Sequence, residues 1–143
     1  MPTKSDLIEF VRTLVKGDFV TNDRYEHKLD AEGWDGWPQF LSALFFLAVD
    51  RRFHGRYDEA EVIRFVAELR AKTGDGGPSI DPSEAELLIK AVLDPSVEFD
   101  IAPQAMGEIE TLVVYTILTE ENLSDDDLDA VLREAQSIAD SHH

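Results

Sequence analysis

The chain contains no cysteine in 143 residues. That removes disulfides, thiol nucleophiles and thiolate zinc sites. Positive charge is scarce: 13 Lys and Arg stand against 30 Asp and Glu, a formal net charge of −17. A field of that sign repels nucleic-acid phosphates and anionic lipid, so neither direct nucleic-acid binding nor docking to a membrane surface is expected. Long apolar runs are also missing. The densest, in FLSALFFLAVDRRFH (40–54), is closed by Asp50, Arg51 and Arg52, far short of the roughly 20 residues that cross a bilayer. No serine is framed by glycines, and the glycines of TGDGGP precede no helix opening with Lys-Ser or Lys-Thr, so no phosphate-cradling loop is present. The N-terminal MPTKSDLIEF lacks the basic and apolar regions of a secretory signal, which predicts a cytoplasmic protein. No catalytic constellation is evident, and the expectation is a non-enzyme without a cofactor.

What remains is strongly helical. At this length and with 43% apolar residues, the chain suits one domain spanning residues 1–143 with a substantial core. Leu7, Ile8, Phe10, Val11, Leu14 and Val15 share one side of a helix that starts near Ser5 and stops at Gly17. TNDRYEHKLDAEG is a candidate short second helix ending at Gly33. Gly36-Trp37-Pro38 then opens the apolar helix, with Pro38 suited to a first turn. Asp58 with Glu61 has capping-box spacing for another helix, and Asp81-Pro82-Ser83-Glu84 repeats that logic. Between them TGDGGPSIDP is the clearest loop. SVEFDIA alternates weakly but has no partner strand, so it reads as a connector. A helix over about Pro103 to Thr119 carries Met106, Ile109, Leu112, Val113 and Leu118. Ser124 caps the last one, whose Leu128, Val131, Leu132, Ala135, Ile138 and Ala139 face one way. The predicted fold is all-α: a single-domain bundle of five to six helices around a central apolar helix at about 38–54.

EAEVIRFVAEL (59–69) and EAELLIKAVLD (84–94) share an acidic opening and an apolar rhythm. A duplicated helical hairpin would explain this, as would two amphipathic helices obeying the same capping and macrodipole rules. The run LTEENLSDDDLDAVLREA resembles the helix that leads into an EF-hand, but no calcium loop with its glycine follows. His27 reads as a solvated helix residue, and His142 and His143 as a native end or an appended remnant.

Two features are candidates for function. Asp50, His54 and Asp58 are spaced four and four, which on one continuous helix would align two carboxylates with an imidazole for metal or acid–base work. Gly55 and the cap at Asp58 argue that the helix breaks between them. The same stretch, 43–69, resembles the helical domains of the tellurite-resistance TerB type, which carry an acid before the glycine and a glutamate opening the next helix. Here His54 takes the place of that acid, and the likeness implies a helical fold only.

The second feature is a face. At 100° per residue the apolar helix is greasy nearly all round, but Gln39, Ser42, Phe46, Asp50 and Phe53 fall within roughly 80° of one another. Phe46 and Phe53 thus share its one polar stripe. Either loop 74–81 or the N-terminal helix covers both rings, or they stay exposed with Trp34 and Trp37 as a partner or dimer surface, since aromatic anchors ringed by polar groups suit interfaces. The leading expectation is a small acidic cytoplasmic interaction or regulatory protein with a protein partner, a basic one or a second copy. The alternative is a metal- or small-molecule-binding helical domain using the Asp50/His54/Asp58 corner. Duplex mimicry is the extreme form of the acidic-surface reading.

Overall fold

Helix-breaking signals punctuate the chain where the pattern places them. The computed structural model describes residues 5–73 and 80–141. The glycine-rich stretch of the expected 73–82 loop, as well as His142 and His143, lies outside the described residues. Among these there are seven helices and no strand: α1 (Ser5–Lys16), α2 (Phe19–Glu32), α3 (Trp37–Phe53), α4 (Glu59–Thr73), α5 (Pro82–Leu93), α6 (Pro103–Glu120) and α7 (Asp125–Ser141).

The all-α expectation therefore holds, but five to six helices become seven. The segment hardest to read from pattern is α2, because it has almost no apolar face: only Asn22 and Leu29 are buried. Its packing is polar instead. The Asn22 side-chain amide donates to the Phe10 carbonyl at 2.7 Å and to Thr13 Oγ1 at 3.2 Å, tying α2 to α1. Asp18 caps its start by accepting from the Thr21 N–H, and Gly33 ends it. Such satisfied buried polar groups keep a short polar helix in place without an apolar stripe.

Elsewhere the side-chain pattern decides. In α3, Phe40, Leu44, Ala48 and Val49 have no exposed surface, and the helix packs against α5, α6 and α7. Full burial of side chains such as Phe40 and Leu44 contributes about 1.5–3 kcal/mol each. Pro38 lies in the first turn as expected, and the left-handed Gly36 (φ 86°) turns the chain into it. The α-helix at α6 includes the β-branched Val113, Val114 and Ile117, all buried; core burial overrides their strand preference. The two similar segments become α4 and α5, which pack on each other. Asp81 accepts from the Ser83 and Glu84 N–H groups, and Ser124 Oγ from the Asp127 N–H, so both act as caps. Residues 96–102 form no strand.

Several cations are committed to neighbouring acids or rings. Arg12 pairs with Glu9 and Asp129, Lys28 with Asp6, Lys16 with Asp125, Arg51 with Glu121 and Lys72 with Glu120. Each such surface pair contributes under about 1 kcal/mol. Their larger effect is to leave the remaining surface acidic. No described helix is long and apolar enough to cross a membrane.

Candidate functional site

The polar stripe of α3 divides sharply. Phe46 is 45% exposed, whereas Phe53 is 3% exposed. Phe53 stacks edge-on against Phe65 of α4, ring centroids 5.6 Å apart, and the Arg52 guanidinium lies over both rings at 5.1 and 5.5 Å. The expectation that the two rings share one environment is corrected: the following helix folds back over the end of α3 and takes Phe53 into the core. Residues 74–79 of the loop expected to cover it lie outside the described residues. Phe46, two turns earlier, stays open.

Around Phe46 the chain forms a groove of about 450 Å³ lined by Pro38, Gln39, Ser42, Ala43, Ile138 and Ala139. Its floor is apolar, supplied by α3 and α7, and Gln39 and Ser42 give it a polar edge. Ser42 also reaches across to α6, donating to Glu110 Oε2 at 3.2 Å. Glu110 is only 6% exposed. Burial pushes its pKa up from 4.5 to about 7, against the smaller lowering effect of the Ser42 hydroxyl. Nothing in the helical pattern marks this residue: in ETLVV it reads as one more acid on a charged surface.

Trp34 and Trp37 sit elsewhere, away from Phe46. With Phe10 of α1 they make a three-ring cluster, every pair edge-on with centroids 5.1–5.7 Å apart. The Trp34 indole N–H donates to Asp30 at 2.8 Å. Trp37 then forms a wall of an apolar cleft of about 520 Å³ between α1 and α6, with Leu14, Gly107, Thr111, Leu112 and Tyr115 among its lining. A smaller recess of about 210 Å³ shares Leu14, Trp37, Thr111 and Tyr115 and runs back to Phe10 and Trp34. The four aromatic residues proposed as one surface therefore occupy three places: a groove, a cleft and the core. Sequence reasoning missed Phe10, Gly107 and Tyr115. The available signal was Gly107, a glycine inside a helix that gains nothing from it.

The Asp50/His54/Asp58 corner is not assembled. His54 ends α3 in the left-handed conformation (φ 54°), Gly55 follows at φ 70°, and its N–H donates to the Asp50 carbonyl at 3.1 Å. That reversal breaks the helical register that would have aligned the three side chains. Asp58 instead turns to α4, accepting from the Ala60 and Glu61 N–H groups. Among the described residues no group of three or more His, Asp or Glu side chains is placed to hold a metal ion. Asp58→Ala is accordingly expected to cost about 1 kcal/mol through the lost cap. Denaturant titration with and without added divalent metal checks this; a metal-dependent loss would contradict the capping role.

Compared with protein-family models, curated proteins and solved structures, the chain matches none. The short likeness of residues 43–69 to the TerB-type domains thus assigns no family.

Proposed function

We propose that this protein is a small cytoplasmic interaction protein that docks a basic partner segment, with the Phe46 groove receiving an apolar anchor from it. The observation that carries the reading is the exposure of Phe46, at 45%, on a helix otherwise buried along most of its length. An aromatic ring set in an apolar groove with polar residues at the edge is the composition of an interface centre. The net charge of −17 selects the partner: a basic segment is attracted, whereas a second copy of this chain brings the same charge and is repelled.

A lysine-rich amphipathic peptide with leucine anchors tests the reading by calorimetry. Phe46→Asp is expected to weaken binding at least about tenfold, the scale of a lost central anchor, with unchanged helical circular dichroism. The sign is informative. The variant is more negative than the parent, so pure charge attraction would make the peptide bind more tightly. Unchanged or stronger binding therefore sinks the docking site, and a parent dimer that Phe46→Asp dissolves would make a second copy the occupant.

A further inference from the structure

The aromatic-walled cleft between α1 and α6 shares no lining residue with the Phe46 groove. We propose that it is a binding site for a small hydrophobic amine or ammonium compound: an apolar body held against Trp37 and Tyr115, and a cationic head set at Glu108. Four observations converge on this occupant.

The first is size. A cleft of about 520 Å³ with an adjoining recess of about 210 Å³ falls in the range of about 300–1,000 Å³ typical of small-ligand sites. The second is rigidity. The wall is set by the edge-to-face cluster of Phe10, Trp34 and Trp37, which orients Trp37 before anything binds. The third is Gly107. It lies within α6 with no special backbone angle, and a Cβ added there would meet no atom within 4 Å. Neither conformation nor packing inside the chain requires glycine, and what its missing side chain does is keep the floor of the cleft open.

The fourth observation is charge, and it chooses the ligand class. Among the described residues lining the cleft and its recess, Glu108 is the only charged one. No described lysine or arginine lines either, so an anionic head would find no counter-charge in that lining and would face the field of a −17 chain. A cationic head meets the Glu108 carboxylate beside the rings of Trp37 and Tyr115, and ammonium groups are drawn to aromatic rings. Glu108 also borders a neighbouring depression lined by Arg70, and the residue itself is exposed.

The two tryptophans of the chain both lie at this site, so intrinsic fluorescence reports on it directly. Octylamine (protonated at neutral pH), octanol and octanoate carry one tail with three head charges, and each is titrated below its aggregation concentration. The expected result is a saturable one-to-one fluorescence change with octylamine, about tenfold weaker binding of octanol, and weaker binding again of octanoate. Glu108→Gln, at an exposed position, should bring octylamine close to octanol without altering octanol binding. Gly107→Leu should remove the response to all three while the protein still melts cooperatively, and Ile63→Ser, an exposed apolar residue of α4, should change nothing. Equal affinities for the three heads, no saturable response, or a folded Gly107→Leu protein that binds like the parent would each overturn the assignment.

Discussion

Phe53→Ala is expected to lower the unfolding free energy by about 3–5 kcal/mol, the range for removing a buried phenyl ring. The ring is 3% exposed, packs edge-on against Phe65, and lies under the Arg52 guanidinium. Its loss opens a void at the joint between α3 and α4 and strips Phe65 and Arg52 of a shared partner. The comparison that makes the measurement decisive is Phe46→Ala. With 45% of its surface already in water, that ring has less burial to lose, and the expected cost is about 1 kcal/mol. Urea unfolding followed by circular dichroism separates the two. Similar losses at both positions would contradict the division of the stripe into core and surface.

Glu110→Gln is expected to stabilise the protein by about 3 kcal/mol at pH 8 and by nearly nothing at pH 4. Glu110 is raised to about 7 from 4.5 because its carboxylate is desolvated between α6 and α3. For a carboxyl with a raised folded-state pKa, the folded chain holds a proton that the unfolded chain has already released. Stability from this group is therefore complete below the unfolded value of about 4.5 and declines as pH rises to about 7. Above that both states are ionised and the cost of burying the charge is constant. Glutamine keeps the Ser42 contact without the charge, so its advantage grows from about pH 4.5 and is complete above about pH 7. Paired unfolding curves from pH 4 to pH 8 check this, and an equal change at both ends would mean that Glu110 is not desolvated. Ser42, which donates to Glu110, also lines the Phe46 groove.

The sequence by itself determined the helical class, most helix boundaries and the acidic character. These are local properties: capping side chains at Asp58, Asp81 and Ser124, the stop at Gly17, and apolar spacing in the amphipathic helices all act within a turn or two. The pattern of α2 was faint because its anchors, Asn22 with Phe10 and Thr13, lie on another helix. The tertiary structure alone decided which functional candidates stand together. Helical angles place Phe46 and Phe53 on one stripe, but they say nothing of what folds over each end, and α4 covers only one. The spacing of Asp50, His54 and Asp58 assumed a continuous helix that the left-handed pair His54-Gly55 ends. Glu110 differs from its acidic neighbours only in what packs around it, and Gly107 acquires meaning only when Trp37 and Tyr115 enclose space above it. Periodicity records which side of a helix is buried; the partner that buries it is a long-range contact, and long-range contacts bring this chain's candidate residues together.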